Sequence, residues 1–433
     1  MVEPSLYVLT ALYVCIALAY AVMQERYASR HVAASRPPTG HRWPSVDVVL
    51  PCYNEDPEVL RDCCESLERQ DYPGDLHVFL VDDGSSNRDA VLGVYRHYQG
   101  RAGWTVTLLD GNQGKRKAQD AAVRAGRGEL VVTIDSDTVL APDGLVRLVG
   151  AFTDERVGAV TGDVRVRNLG DNRLTRLIDE RYRLLFEQER AAQGAVGAVL
   201  CCSGPFSAYR RDALEAVWHD YLTQTFMGRP CVAGDDIHLT NLVLASGYRS
   251  LYEPSAKALT NVPTTLRRYV RQQVRWNRSF YRELGPTLRV LPGRSGYLVL
   301  DLVARLVLPL LLAAGIVLAG MHTTFTLGQP VRVLMGAALL AVMGASSAGL
   351  LARKTVKPRH RFVVLYGLIY VFLLIPTRFW ALATLRQNRW GTRRLVRRAA
   401  RARERMAEMA EVVVEVVSVP AVEAAQPAGQ QAI

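Results

Sequence analysis

The chain has 433 residues, of which 49% are apolar, 8% aromatic and 22% charged, a balance that excludes a disordered tail protein or a disulfide-framed miniprotein and leaves room for two or three domains. The net charge is +12, but residues 386–405 hold nine Arg against one Glu, so the excess is local and a duplex-binding basic face is not the leading reading. Seven Cys, at positions 15, 52, 63, 64, 201, 202 and 231, include no C-x-x-C; zinc and disulfide frameworks are weak readings and a reducing compartment is expected.

Residues 5–23 carry no charge, just enough to cross about 30 Å of hydrocarbon. A cleaved signal is the rival, since Ala19-Tyr20-Ala21 mimics a cleavage site, but no basic residue precedes the run. Basic residues follow it at Arg26, Arg30, Arg36 and Arg42, so the positive-inside rule places what comes after Arg26 in the cytosol. Residues 1–25 are thus read as a membrane helix.

From residue 43 to 262 the pattern becomes short β-rich runs (46–50, 76–81, 105–109, 130–134) alternating with helical ones (58–70, 115–127, 142–152). That predicts an α/β nucleotide-binding domain with a mostly parallel sheet. Neither G-x-G-x-x-G after the first strand nor G-x-x-x-x-G-K-[ST] occurs, so dinucleotide and P-loop readings lose support.

Residues 263–296 interleave Arg with aromatic and aliphatic residues, as in helices lying at the cytosolic membrane surface. Residues 297–385 hold three apolar runs. In the first, 298–320, Asp301 and Arg305 stand four apart and can pair on one helix face. The second, 331–352, is rich in small residues that let helices approach closely. The third, 362–385, is interrupted by Pro376 and Arg378, and the Arg-rich segment follows it, so a broken or re-entrant segment returning the tail to the cytosol is expected. Residues 386–433 are read as a basic segment and mobile tail.

The chemistry gathers at strand ends. The first strand runs into Tyr53-Asn54-Glu55 and the next into Asp82-Asp83-Gly84, at the sheet edge where open α/β sheets bind ligands; a simple turn is the bland alternative for the second. The fourth strand runs into Asp135-Ser136-Asp137, two carboxylates spaced to suit Mg²⁺ or Mn²⁺ with phosphate and water completing the shell. Lys115-Arg116-Lys117 opens a helix, where a diphosphate would explain three cations and a solvated charge run is the rival. Gly234-Asp235-Asp236 opens another helix; one Asp can cap it and leave the other free as a base. Gln272-x-x-Arg275-Trp276 pairs a guanidinium for phosphate with an indole for a sugar face, unless it anchors the helix in lipid.

In that order these motifs resemble the processive family 2 glycosyltransferases. The likeness covers roughly residues 46–283 and looks closest to hyaluronan synthases and nodulation-type chitin-oligosaccharide synthases. Glu189-Arg190-Ala191-Ala192-Gln193, Cys202-Ser203-Gly204-Pro205, Gln224-Thr225-Phe226, Arg275-Trp276-Asn277-Arg278-Ser279-Phe280 and Trp390-Gly391-Thr392-Arg393 lean towards the former. Ile237 after the two aspartates, a single N-terminal span and Lys115-Arg116-Lys117-Ala118-Gln119 depart from it, the last two in the direction of the latter.

The resemblance implies a cytosolic GT-A domain, the Rossmann-like nucleotide-diphospho-sugar transferase fold, between N- and C-terminal membrane helices. It implies UDP-sugar donors, a growing polysaccharide acceptor, a lipid setting as a multi-pass cell-membrane protein, no nucleic acid, and leaves self-association open. It gives Tyr53 with Asp82 or Asp83 to uridine, Lys115 and Lys117 to the diphosphate, and Asp137 with Asp135 to Mg²⁺ or Mn²⁺. Asp236 becomes the base, Arg275 offsets leaving-group charge and Trp276 stacks on the acceptor. Glu55, Asp235, Gln272 and Cys202 complete the substrate-binding set, although a structural role suits Cys202 as well. The leading expectation is hyaluronan synthesis from UDP-N-acetylglucosamine and UDP-glucuronate; the alternative is chitin-oligosaccharide synthesis from UDP-N-acetylglucosamine alone.

Overall fold

Every residue of the first strand, β1 (Val46–Cys52), is buried, as a strand covered on both faces must be. The computed structural model describes residues 2–31, 42–326 and 369–387. The run at 331–352, Trp390-Gly391-Thr392-Arg393 and the basic tail from 388 onwards lie outside the described residues. One polar side chain interrupts β1: Asp47 is held by the Arg211 guanidinium at 2.5 Å and by the Gly128 N–H at 2.6 Å, so the buried carboxylate keeps its partners.

β1 pairs in parallel with β2 (Leu76–Asp82) on one side and β4 (Leu130–Ile134) on the other, and β3 (Trp104–Leu108) extends the β2 edge. Helices α2 (Pro57–Glu68), α3 (Arg88–Tyr98) and α4 (Lys115–Ala125) cross between them. The α2 boundary is chemically explicit: Asp56 accepts from the Glu58 and Val59 N–H groups and Pro57 occupies the first turn.

Beyond β4 the parallel expectation fails. β7 (Phe206–Arg210) runs antiparallel between β4 and β6 (Val157–Val166), and β6 pairs in parallel with β10 (Arg249–Thr260), giving the order β3-β2-β1-β4-β7-β6-β10-β5 with β5 (Val139–Leu140) at the far edge. The sheet is therefore mixed. Periodicity within a five-residue strand carries no information on the direction of its neighbours, which is why the sequence reading missed it.

Helix α1 (Val2–Ala28) contains the N-terminal apolar run and packs along α12 (Gly296–Thr326). Among the described residues one helix, Gly296–Leu318, is long and apolar enough to cross a membrane; the expectation of several spans is not met there. The third apolar run holds a π-helical turn (Tyr370–Leu374) leading into α13 (Ile375–Ala383), with Pro376 in its first turn where no N–H is needed.

A buried polar network joins α12 to α1 and to the helices packed beneath the sheet. Asp301 receives the Tyr20 hydroxyl at 2.7 Å, Gln193 Nε2 at 2.9 Å and its helix neighbour Arg305 at 3.0 Å, the pairing expected from their spacing. Gln193 belongs to α7 (Ala191–Ala195), and Glu189 sits in the π-helical turn Leu185–Arg190 between α6 (Arg173–Leu184) and α7. Glu189 is gripped by Arg181 and Arg305, both at 2.8 Å.

Burial alone would raise the Glu189 carboxyl, but Arg181 and Arg305 outweigh it and hold the group down from 4.5 to about 2. A depressed carboxylate contributes stability that is full above its unfolded value and is lost as pH falls through the folded one. Denaturation of the membrane-reconstituted chain between pH 5 and pH 2 is therefore expected to show roughly 3 kcal/mol of acid destabilisation that Glu189→Gln lacks. Parallel pH curves for the two proteins would overturn this account.

Candidate active site

The carboxyl ends of β1, β2 and β4 share one edge, and two local devices lock their loops together. Asn54 takes a left-handed backbone (φ 53°), with its N–H on Ser85 Oγ at 2.9 Å and its Oδ1 accepting from Ser86 N at 2.7 Å, so the loop after β1 is stitched to the loop after β2. Gly84 (φ 64°) has its own reason: a Cβ there would lie 2.2 Å from the Gly111 carbonyl carbon. Tyr53 is half-buried beside this seam.

The acidic pair after β2 is held by donors of the protein itself. Fully buried Asp82 accepts from Tyr95 OH at 2.9 Å and pairs with Arg88 at 2.6 Å, while Asp83 accepts from Asn112 Nδ2 and from the N–H groups of Gln113 and Gly114 at 2.7 to 3.0 Å. Buried acceptors need donors, and here the protein supplies them all. Their effect is to set the loop that launches α4.

Of the three cations at that helix start, one reaches the site. Lys115 Nζ lies 2.6 Å from Asp135 and 3.2 Å from Asp235. Arg116 turns inward to the Tyr221 carbonyl and Gln224, its guanidinium over the Tyr221 ring. Lys117 is 54% exposed and faces Asp120 at 4.0 Å, because successive helix positions point about 100° apart.

Asp137, two residues beyond Asp135, accepts from Thr260 Oγ1 at 3.1 Å, and Ser136 donates to Glu55 at 2.7 Å. Burial, Asp135 and Glu55 together push the Asp137 carboxyl up to about 7. Negative charge thus accumulates at the end of β4.

The second acidic pair opens α9 (Asp235–Ala245). Gly234 precedes it with φ 86°, and a Cβ there would come 2.7 Å from the Ser279 side chain, so glycine lets α9 abut α10 (Leu266–Arg282). Neither aspartate caps α9 through its Ncap residue, which is Gly234. Burial opposes ionisation of both, but Lys115 and Arg116 hold Asp235 low, whereas burial and the charge of Asp235 push Asp236 up. The two carboxylates are thereby assigned different states.

Facing them, α10 carries Arg275, whose charge acts on Asp236, and Trp276, 37% exposed and 6.5 Å from the Tyr182 ring. Gln272 Oε1 is buried without a hydrogen-bond partner among the described residues. Cys202 is fully buried, its N–H on Thr240 Oγ1 at 2.9 Å, while its neighbour Cys201 bonds Asp236. Asn277 and Arg278 reach Thr377 and Thr384 of the segment through α13, bracing α10 from behind.

Sequence reasoning missed Tyr182, Thr260 and Glu283. Buried Glu283 accepts from His238 Nδ1 and Asn241 Nδ2, both at 3.0 Å, and from Gln224, tying α9 to the end of α10. No short motif surrounds these residues; their signal is pairing across the chain.

Comparison with known proteins follows the same outline. Residues 44–279 match the family described as glycosyltransferase like family 2. A protein of Mesorhizobium japonicum named N-acetylglucosaminyltransferase is 45% identical over 82% of this chain and 84% of its own length. Proteins of the same name from Sinorhizobium fredii and Rhizobium meliloti are 42% and 40% identical, each over 88% of this chain and over 93% and 90% of their own. A mannosyltransferase from Pyrobaculum calidifontis, solved with GDP-Man and Mn²⁺, superimposes with a TM-score of 0.62 at 23% identity, over 86% of this chain and 99% of its own; the shared fold is GT-A. The names of these relatives overturn the expectation of hyaluronan synthesis from two donors.

Lysine replacement separates the two cations. Lys117→Ala is expected to keep glycosyl transfer within about twofold of wild type, as for a solvated surface side chain. Lys115→Ala strands two carboxylates and is expected to lose at least about 100-fold. Equal losses in a radiolabelled transfer assay would show that both amines reach substrate.

Proposed function

This chain belongs to the family 2 glycosyltransferases, and we propose that it transfers N-acetylglucosamine from UDP-N-acetylglucosamine, step by step, to build a β-linked chitin-type oligosaccharide at the membrane. The observation that carries this reading is the set of relatives at 40 to 45% identity, spanning more than four-fifths of the chain, all named N-acetylglucosaminyltransferase. The site geometry is compatible with it.

Asp236 is the base in this reading. Its raised affinity for protons, set by burial and by Asp235, suits a group that must take a proton from a sugar hydroxyl near neutral pH. The acceptor oxygen then bonds to the anomeric carbon as the bond to UDP breaks on the opposite face; the electron pair leaves with UDP, the proton rests on Asp236, and configuration inverts. Lys115 fixes Asp235 as the ionised partner, so that Asp236 alone is left to titrate. Arg275 lies where it can meet charge growing on the departing diphosphate, and Trp276 offers an apolar face to a pyranose ring.

Asp135 and Asp137 fit a divalent cation. No three carboxylate, His or Cys groups converge into a closed cage among the described residues, and an ion that keeps water and phosphate in its shell needs none. The strain of unbalanced charge on Asp137, visible in its carboxyl pushed up to about 7, is what such an ion would relieve. Bound there, it would withdraw charge from the leaving diphosphate. Helix Gly296–Leu318 would hold the domain against the bilayer.

Purified chain in nanodiscs is expected to release UDP from UDP-N-acetylglucosamine with Mg²⁺ or Mn²⁺, to leave UDP-glucuronate untouched, and to form a chitinase-sensitive product. Asp236→Asn should lower turnover by about 10² to 10⁴ with donor binding retained. Chelation with EDTA should stop turnover until the metal is restored. Consumption of UDP-glucuronate into product, or wild-type turnover by Asp236→Asn, sinks the proposal.

A further inference from the structure

Tyr182 stands in the last turn of α6, immediately before the π-helical turn Leu185–Arg190. The start of α6 is fixed by Asn172, which caps it through the N–H groups of Leu174 and Thr175 and gives its Nδ2 to the Thr264 carbonyl at 2.9 Å. Asn168 and Val262 exchange two more bonds, at 2.9 and 3.0 Å. These ties run from the loop before α6 to the linker before α10. They hold Tyr182 and Trp276, on different helices, with ring centroids 6.5 Å apart at 38°. Phe186 closes the other flank of the Tyr182 ring at 6.3 Å.

The residue is only 9% exposed, and its hydroxyl, which is not fully buried, makes no hydrogen bond among the described residues. A phenol so placed can reach a bound ligand. Its surroundings indicate what it could meet: the charges that act on it include Asp137, Asp135 and Arg275. A ligand group that spans a cation-carrying carboxylate pair and a guanidinium is an oxyanion. A neutral hydroxyl can donate to such a group without adding charge to the site.

We infer that Tyr182 is a substrate-binding residue, its hydroxyl donating to a diphosphate oxygen of the nucleotide sugar while its ring and Trp276 form one aromatic wall beside the acceptor sugar. The inference rests on the placement of the diphosphate between Asp137 and Arg275 proposed above. It extends the site to α6, an element with none of the acidic motifs. It also gives the unpartnered hydroxyl a function in transfer.

Tyr182→Phe removes the hydroxyl and keeps the ring, so the full chain in nanodiscs should melt as wild type does. Calorimetric binding of UDP is expected to weaken about tenfold or more, the loss of a hydrogen bond to a charged acceptor, while binding of uridine is unchanged. The KM for chitin-oligosaccharide acceptor should stay at its wild-type value in Tyr182→Phe and rise in Tyr182→Leu, which also removes the wall. Unchanged UDP affinity in Tyr182→Phe, or equal weakening of UDP and uridine, overturns the role of Tyr182 while leaving the transferase intact. A wild-type chain that releases no UDP from UDP-N-acetylglucosamine overturns the transferase reading and this role together.

Discussion

One ammonium group orders the site. Lys115 stands between Asp135, at the end of a parallel strand, and Asp235, at the start of a helix 120 residues further on, so the donor-side and base-side carboxylates are fixed by a common counter-charge. In a buried setting each of these anions would be costly alone, and without the lysine the four acids nearest it would protonate or repel. With it, charge is sorted: Asp235 stays ionised, while Asp236 and Asp137 are the groups left with excess affinity for a proton or cation. That sorting distinguishes four carboxylates that the sequence presents as two similar pairs.

The rest of the fold maintains the spacing of the elements that carry those charges. Arg116, one residue along from the lysine, reaches Gln224, which reaches Glu283, which receives His238 and Asn241. This relay links α4, α9 and α10, the three helices that supply the lysine, the base and the Arg-Trp pair. Gly234 removes the one methyl group that would keep α9 and α10 apart. At α12, Asp301 and Arg305 extend the same principle: a charge pair on an apolar helix is tolerable because Tyr20 and Gln193 hydrogen-bond Asp301 while Glu189 pairs with Arg305. The apolar helix α12 and the layer of α6 and α7 are thereby joined by groups that cannot separate without leaving charge uncompensated.

Some of this was legible residue by residue. β1, β2 and β4 begin where the apolar runs begin, because fully buried strands need uninterrupted apolar or satisfied side chains. The strand-end motifs of β1 and β4 and the pair at α9 do converge, since a parallel sheet with right-handed crossovers brings strand ends to one edge. Asp82, Asp83, Lys117 and Cys202 mark where such a reading stops. Their residue types fit ligand chemistry, yet what a side chain does depends on which way its backbone turns it and on what donors wait there. The choice of donor was corrected differently, by the names of the relatives rather than by any residue of the site.

By itself the sequence determined the α/β class, the order of motifs, the acidic and basic chemistry and the apolar character of the segment that became α12. Each of these follows from composition or from periodicity along a contiguous stretch. The tertiary structure alone decided which of three cations enters the site, that Asp235 is held low while Asp236 is pushed up, that β7 runs against its neighbours, and that Tyr182 joins Trp276. Those outcomes depend on desolvation and on contacts between residues tens to hundreds of positions apart, and neither quantity exists until the chain has closed on itself.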